Sequence, residues 1–185
     1  PSHRLSSLGG ASILDVDPDT AQFRVWQCDK AVPAVAADGK VAAGKLKAAG
    51  ATLGSLPCVA IDHGVWAPLA AHSQAVWLGE TLGDALLLFD SVSGSYEHWP
   101  LRKLPGRTMP RPGQQPLSSG TWPALSGKAL LYVGASTLLA LDPASGKYQT
   151  LLLDSSTFLK TASTDGASPM VTYGALASGT LGNPT

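Results

Sequence analysis

Short apolar runs separated by turn residues dominate the chain, and the clearest example is the stretch of residues 128–153. Apolar runs at residues 130–133 and 138–141 precede a turn at residues 142–147, and a third run covers residues 148–153. Asp and Pro open a type I turn, and Gly closes it without the steric cost of a Cβ atom. The pattern predicts successive strands of an antiparallel meander.

The same Asp turn occurs three times in register, starting at Asp17, Asp90 and Asp142. Each copy follows an apolar strand, has a small hydroxyl residue three positions later and then an aromatic residue. The second and third copies extend back to Trp66 and Trp122. Each unit of about 50 residues predicts four strands: one after the Trp, one ending in Gly, one entering the Asp turn and one leaving it. Residues 170–174 are a candidate start of a further unit.

The repeat predicts an all-β, antiparallel fold, namely a small or incomplete β-propeller-like array of three to four sheets in one domain over residues 1–185. Residues 29–57 are interpreted as an irregular insertion with one short helix between residues 38 and 49. Residues 100–119 form a Pro- and Arg-rich connection, predicted to be extended and solvated or, alternatively, to present a basic strip to a partner or phosphate. Residues 174–185 are predicted to be a mobile tail.

Composition argues against nucleic acid as a partner and against a membrane-spanning segment. Thirteen basic and thirteen acidic residues cancel, so no net field favours nucleic acid. No run approaches the roughly 18–20 apolar residues of a spanning helix, and no membrane span is expected. Because the sequence begins at Pro1 without Met, we expect that a signal peptide or tag has been removed and that the protein is periplasmic.

The chain has two cysteines, Cys28 and Cys58, which are compatible with one disulfide around a 29-residue loop. Two inert buried thiols in a cytosolic protein have the same count. We expect the disulfide.

Nucleotide and calcium motifs fail at specific positions. Residues 39–45 have the spacing of a phosphate loop, but Leu46 occupies the Ser/Thr position that would contact magnesium. Asp15, Asp17 and Asp19 resemble the start of a calcium loop, but Trp26 stands where the bidentate Glu belongs. No metal and no cofactor are predicted.

The histidines also lack a catalytic or metal-binding spacing. None of them pairs at i, i+4, and no Gly-x-Ser-x-Gly elbow occurs; the four are His3, His63, His72 and His98. We predict that the protein is not an enzyme, with a hydrolase built from dispersed His, Asp and Ser as a third possibility.

One difference between the repeats points to a binding loop. Seven residues separate Gly134 from Asp142, but ten separate Gly79 from Asp90. Loops that project from a rigid β scaffold often carry binding function. The predicted partner-binding residues are Gly79, Glu80, Thr81, Leu82, Gly83 and Asp84. Leu82 is the expected apolar anchor, and Glu80 and Asp84 are expected to accept hydrogen bonds from the partner.

Residues 76–99 and 131–152 resemble the repeat of quinoprotein-type bacterial propellers. Both stretches have an apolar run, a Gly, a second apolar run, an Asp, a Ser-Gly pair and an aromatic residue, in that order. The resemblance implies the propeller fold and does not specify a function.

Residues 58–66, Cys-Val-Ala-Ile-Asp-His-Gly-Val-Trp, resemble a second family: the periplasmic immunity proteins that neutralise type VI secretion peptidoglycan amidases. That family shows a Cys, an acid, Gly, Ile or Val and Trp in this order, ahead of a hairpin. The resemblance implies that a hairpin enters the amidase's cysteine–histidine site; the matching loop here is residues 79–84. The adjacent serines of the family's plugging loop are replaced by Glu80, Thr81 and Asp84.

These observations predict a non-enzymatic binding protein, in its most specific form an immunity protein that inhibits a secreted cell-wall amidase by inserting a hairpin loop. The alternative is an envelope β-propeller scaffold that binds another protein through a sheet edge or through the basic stretch of residues 102–111. The expected partner is therefore a protein, such as a secreted peptidoglycan hydrolase.

Overall fold

The computed structural model describes residues 3–28, 58–79, 82–103 and 106–153, together with the backbone of strands Ala34–Val35, Val41–Ala42 and Thr172–Thr180. Within these residues the fold is antiparallel β, with three four-stranded sheets and two two-stranded ribbons. The predicted all-β class and the number of large sheets are confirmed.

The chain divides into two compact units, each of which is described here by itself. One contains Pro1–Ala70 and Leu101–Pro112, and the other contains Ala71–Pro100 and Gly113–Thr185. That the two form one propeller-like domain stays a prediction.

Sheet 1 belongs to the first unit and has the strand order β1-β2-β3-β6. Its strands are β1 (Arg4–Gly9), β2 (Ser12–Asp17), β3 (Gln22–Gln27) and β6 (Val59–Val65). Burial alternates along β2 and along the first half of β3, as expected for an antiparallel sheet with one solvated face, whereas Val25, Trp26 and Gln27 at the end of β3 are all buried.

A short ribbon lies between β3 and β6 in the sequence, where β4 (Ala34–Val35) pairs with β5 (Val41–Ala42). The prediction of a helix between residues 38 and 49 is wrong at Val41 and Ala42, because these residues are extended and hydrogen-bonded. The rest of that predicted helix lies outside the described residues.

A second ribbon joins β10 (Arg102–Lys103) to β11 (Arg107–Thr108). The connection was predicted to be solvated, and this is wrong after β11, where Thr108 and Met109 are buried. The buried Asp62 on β6 holds this stretch: the Met109 N–H donates to its Oδ2 at 3.0 Å, and the Arg111 Nη1 group donates to its Oδ1 at 3.0 Å. The connection therefore packs through charge-assisted hydrogen bonds to Asp62 in addition to the buried side chains of Leu101 and Met109.

Sheet 2 belongs to the second unit and has the order β12-β9-β8-β7. Its strands are β7 (Gln74–Leu78), β8 (Ala85–Phe89), β9 (Ser95–Pro100) and β12 (Ser118–Thr121). All five residues of β8, Ala-Leu-Leu-Leu-Phe, are buried. A continuous apolar run of this kind suits a strand that is covered on both faces.

Sheet 3 has the order β13-β14-β15-β16. Its strands are β13 (Ala129–Gly134), β14 (Thr137–Leu141), β15 (Lys147–Leu153) and β16 (Thr172–Thr180). The last strand corrects two predictions, since Thr172–Thr180 neither starts a further unit nor forms a mobile tail but pairs with β15 as the fourth strand.

The core of the second unit lies between sheets 2 and 3. It combines Val76, Leu78, Leu82, Leu87, Phe89 and Tyr96 with Leu125, Leu130, Leu138, Ala140, Leu151 and Leu153. Half-buried Trp122 and Tyr132 pack against it.

The segment after each repeat Trp is a helical turn, and the prediction of a strand there is wrong. Pro68–Ala71 is one turn of α-helix, and Pro123–Leu125 is a 3-10 turn. Proline at the start of each turn is compatible with helix and removes a backbone N–H that a strand would need. The fourth strand of sheets 1 and 2 instead precedes the Trp, as β6 and β12.

The three Asp turns have the predicted local chemistry. The Asp17 Oδ1 atom accepts the Asp19 N–H at 3.0 Å, and the Asp142 Oδ1 atom accepts the Ala144 N–H at 2.9 Å. The fifth residue of each turn has a positive φ: 56° at Ala21, 75° at Gly94 and 69° at Gly146. An aspartate that bonds to its own turn thus stabilises each reversal between the second and third strands of a sheet.

Candidate interaction surface

The loop predicted to bind a partner folds back on its own unit. The N–H groups of Leu82 and Asp84 donate to the Gly79 carbonyl at 2.9 and 3.2 Å. A Cβ atom at Gly79 would lie 2.7 Å from the Tyr132 ring, so only glycine permits this approach. Glu80 and Thr81 lie outside the described residues.

The prediction of Leu82 as an exposed anchor is wrong, because its side chain is 0% exposed and belongs to the core between sheets 2 and 3. Asp84 is buried as well, and its Oδ1 atom accepts the Trp77 Nε1–H at 2.7 Å. Gly83 is exposed, with a φ of 83° that suits a tight turn. The three extra residues therefore supply a core leucine and a buried hydrogen bond.

Trp77 and Tyr132 fix this loop from two sheets of the same unit. Their ring centroids are 5.9 Å apart in an edge-to-face arrangement, a favourable aromatic geometry. The Tyr132 hydroxyl also accepts the Ser136 N–H at 3.3 Å, which ties the corresponding loop of sheet 3 to the same ring.

The cysteine prediction is met by the geometry, since Cys28 and Cys58 form a disulfide with an S–S distance of 2.00 Å. Cys58 directly precedes β6, and the Cys28 N–H donates to the Ala11 carbonyl at 2.9 Å. The bond closes the chain around residues 29–57 at the edge of sheet 1.

The outer face of sheet 3 is an exposed apolar surface that the sequence analysis did not identify. Leu131 and Val133 on β13 are 58% and 51% exposed. In the strand register Leu131 lies opposite Leu139, and Ala129 lies opposite Leu141. The surface, called the apolar face below, comprises the exposed Ala129, Leu131 and Val133 and the half-buried Leu139, Leu141, Tyr148 and Leu152, and the half-buried Thr137 and Thr150 lie on the same face.

Sheet 1 shows how an ordinary solvated face differs from this one. Leu5 on β1 is also 58% exposed, but it lies opposite Asp15, and Asp15 lies opposite Arg24. Arg24 in turn faces His63 on β6. The apolar face has no charged side chain at its paired positions on β13, β14 and β15. A contiguous apolar surface without such charges is a candidate interaction surface.

The signal for this face was present in the sequence. Both Ala129–Gly134 and Thr137–Leu141 are apolar at nearly every position and do not alternate. Such runs occur in strands that are covered on both sides. Because the pattern alone cannot state which side the rest of the chain covers, the exposed side could be recognised only from the packing of sheet 3 on sheet 2.

Two arginines of the basic stretch, Arg107 and Arg111, contact their own unit through their side chains. Arg111 forms an ion pair with Asp62 at 3.0 Å, with the carboxylate side nearly buried. The Arg107 guanidinium lies against the backbone of Gly10. These arginines therefore help to attach the connection to sheet 1.

Three kinds of titratable group have shifted pKa values, and one of them is Arg4, whose pKa is lowered by burial. Hydrogen bonds from the turn hydroxyls lower the pKa of the three turn aspartates, with backbone N–H groups adding to the effect. The pairs are Asp17 with Thr20, Asp90 with Ser93, and Asp142 with Ser145. Burial lowers the pKa of His98 to about 3, so its imidazole is neutral at pH 7.

The remaining polar side chains do not assemble a metal centre within the described part of the chain, where no group of three or more potential metal ligands occurs. His3 lies on the exposed side of sheet 1 and contacts Asp15 at 2.7 Å. His98 is fully buried on β9. Of the helices in the described residues, none has the length and apolar character needed to span a bilayer.

Comparisons of the chain with protein-family models, with curated proteins and with solved structures found no match.

Proposed function

We propose that the protein is a non-enzymatic binding module that docks another protein on the apolar face of sheet 3. The observation that carries the proposal is the exposure of Leu131 and Val133 on a face whose paired positions are apolar or uncharged. Removing such side chains from water contributes about 25 cal/mol per Å² of apolar surface. A protein partner with a complementary apolar surface would gain that free energy on binding.

The rigidity of sheet 3 supports the proposal. Its inner face is held to sheet 2 by the buried Leu130, Leu138 and Leu151. The Gln74 amide adds two hydrogen bonds to β13, donating to the Lys128 carbonyl and accepting the Leu130 N–H, both at 2.8 Å. A preorganised surface loses little conformational entropy on binding, which favours affinity.

In its narrower form the proposal is that the partner is a secreted cell-wall amidase and that the protein is its immunity protein. The resemblance of residues 58–66 to that family supports this form. The burial of Leu82 moves the proposed contact from the loop of residues 79–84 to the apolar face. The disulfide supports an oxidising compartment such as the periplasm.

An inhibition assay tests both forms of the proposal. Purified secreted peptidoglycan amidases with cysteine–histidine active sites, including one encoded beside the gene, are assayed on peptidoglycan with increasing amounts of the protein. We expect stoichiometric inhibition of the cognate amidase. We also expect that Leu131→Asp weakens it at least about 100-fold, because a charge would be desolvated at the contact.

Leu5→Asp is the matched control, since Leu5 has the same exposed fraction but lies on the charged face of sheet 1. It should inhibit like the unchanged protein. Absence of inhibition across the amidases would overturn the immunity form, and full inhibition by Leu131→Asp would overturn the apolar face as the contact.

The envelope-scaffold alternative stays a prediction. A partner strand that paired with the outer edge of β13 would compete with the Gln74 amide, which already bonds to the Lys128 carbonyl and the Leu130 N–H. Reversing Arg111 to Glu would place a second carboxylate against Asp62, so loss of partner binding in such a variant would also reflect a damaged first unit.

A further inference from the structure

The three four-stranded sheets share one strand register, so their positions can be compared one by one. In each sheet the residue two positions before the turn Asp pairs with the first and the third strand, and the third strand pairs with the fourth. This cross-strand row is called the pre-turn row below. It consists of Leu5, Asp15, Arg24 and His63 in sheet 1, of Ala75, Leu88, Glu97 and Ser119 in sheet 2, and of Leu130, Ala140, Gln149 and Ser178 in sheet 3.

In sheet 3 the pre-turn row lies on the face that packs against sheet 2. Leu130 and Ala140 are buried and belong to the core between the two sheets. None of the four residues in this row carries a charge. Sheet 3 therefore packs on its neighbour through an uncharged sheet face.

The face of sheet 2 on the other side of this core corresponds position by position to the apolar face of sheet 3. Its residues are buried in the core, whereas Leu131 and Val133 on the apolar face are 58% and 51% exposed. The equivalent pairs are Val76 and Leu131, Leu87 and Leu139, Phe89 and Leu141, and Tyr96 and Tyr148. In sheet 2 a face of this construction holds another sheet.

We propose that the apolar face is a sheet-docking surface, which binds its partner through an antiparallel β-sheet with an uncharged contact face like the inner face of sheet 3. This inference rests on the proposed function and names the kind of surface that the partner presents. Sheets that pack face to face lie about 10 Å apart and interdigitate their side chains. The partner sheet covers Leu131 and Leu139 as sheet 3 covers Val76 and Leu87.

Asp15 prevents other copies of this chain from supplying that sheet. It lies on the exposed side of sheet 1, at the position where the other two sheets bury Leu88 and Ala140. Docking of this side on the apolar face would desolvate Asp15 and its cross-strand neighbour Arg24 against apolar side chains, which costs free energy. Asp15 is the decisive difference, because the position of Arg24 is polar in all three sheets.

Self-association of a variant tests the inference, because the variant removes the charges from the pre-turn row of sheet 1. It carries Asp15→Ala, Arg24→Gln and His63→Ser, which are the residue types of the same row in sheet 3. The probe is this variant itself, in sedimentation velocity from about 1 to about 200 μM. We expect its weight-average mass to rise with concentration to at least about twice the monomer mass, because sheet 1 of one copy can cover the apolar face of the next. The unchanged protein should stay monomeric.

The matched control adds Leu131→Asp to the triple variant and should restore the monomer. Circular dichroism verifies the fold of each variant. If the three substitutions unfold the protein, Asp15→Ala alone takes their place, with the same expected self-association. A folded variant that stays monomeric, or one whose association persists with Leu131→Asp, would overturn the inference.

The remaining outcomes separate the inference from the proposed function. Association of the unchanged protein that Leu131→Asp abolishes would show that the apolar face pairs with a second copy, and it would overturn the inference. A monomeric triple variant together with amidase inhibition that Leu131→Asp weakens would overturn the inference alone. Self-association of the triple variant without inhibition of any amidase would support the sheet-docking surface and overturn only the immunity form of the proposed function.

Discussion

Leu82 and Leu131 show how differently two leucines of one unit are used. Leu82 is wholly buried between sheets 2 and 3, whereas Leu131 is more than half exposed on the apolar face. In sequence, Leu82 stands in a lengthened hairpin with polar neighbours and Leu131 stands in an apolar run. The local sequence suggests an exposed Leu82 and a buried Leu131, and the fold has the reverse, because packing between sheets decides exposure.

The Leu82→Ala variant should destabilise the protein by about 2–5 kcal/mol, since it removes buried methyl groups and leaves a cavity. Leu131→Ala is the control on an exposed leucine and should change the free energy of unfolding by about 0.5 kcal/mol or less. Urea denaturation followed by tryptophan fluorescence measures both values. If Leu82→Ala left stability unchanged and abolished partner binding, the loop would be a contact after all.

His98 should make the protein less stable as the pH falls from 6.5 toward 3. Burial lowers its pKa to about 3 in the folded state, so the unfolded chain binds the additional proton throughout this interval. The free energy of unfolding then decreases by up to about 1.4 kcal/mol per pH unit for this group.

Urea denaturation at pH 4.5, 5.5 and 7.5 measures the slope, and His98→Asn should flatten it. This range lies above the ordinary pKa of the turn aspartates. Their lowered pKa values stabilise the folded state throughout the range, and this stability is lost only when the pH falls below the ordinary pKa. The exposed His63, changed to Asn, is the control and should keep the slope. An unchanged slope in His98→Asn would contradict the assignment.

The recurring element of this fold is larger than a strand. It begins with an outer strand that ends before a Trp, continues through a helical turn and includes the three strands of the next meander. The Trp turn joins this element to the preceding Asp turn by a backbone hydrogen bond. The sequence repeat therefore contains the outer strand of one sheet and three strands of the next sheet, so its boundaries differ from those of a sheet.

The Gly94→Ala variant tests the tightness of this joint. Gly127→Ala is matched, because Gly127 has a φ of 76° against 75° at Gly94, yet nothing lies within 4 Å of its Cβ position. Both variants carry the same backbone strain, and Gly94→Ala in addition pushes against Trp122 and Ser126. We expect Gly94→Ala to lower the midpoint of thermal denaturation more than Gly127→Ala does. The difference should correspond to about 1–3 kcal/mol in the free energy of unfolding. Equal loss in the two variants would show that the Trp segment moves aside freely.

At the scale of the whole chain, two compact units are linked by a sequence that crosses between them after Ala70, after Pro100 and after Pro112. The disulfide and the Asp62 contacts both belong to the first unit. The large apolar core and the apolar face both belong to the second. The disulfide and the ion pair of the buried Asp62 thus lie in one unit, and the proposed binding surface lies in the other.

Removing the disulfide with Cys28→Ala and Cys58→Ala should cost about 3 kcal/mol, since the bond closes a loop with a sequence separation of 30 residues. The free energy of unfolding from urea curves gives the loss, and a mass increase of two hydrogens on reduction of the unchanged protein verifies the bond. Inhibition through the apolar face should persist below the unfolding midpoint. A variant that was as stable as the unchanged protein would show that the loop is already ordered without the bond.

The sequence by itself determined the all-β class, the three Asp turns and the cysteine pair, because turn chemistry is local and a repeated turn shows itself at a fixed spacing. It also places a proline within two residues after each repeat tryptophan, and in the folded protein both of these segments are helical turns.

Only the tertiary structure decided that Leu82 enters the core, that residues 172–180 complete sheet 3 and that Leu131 and Val133 on one face of that sheet stay exposed. The physical reason is that a strand apolar on both sides can bury either side. Which side stays exposed depends on how segments distant in sequence pack together, and no periodic pattern of hydrophobic residues in the sequence reports that packing.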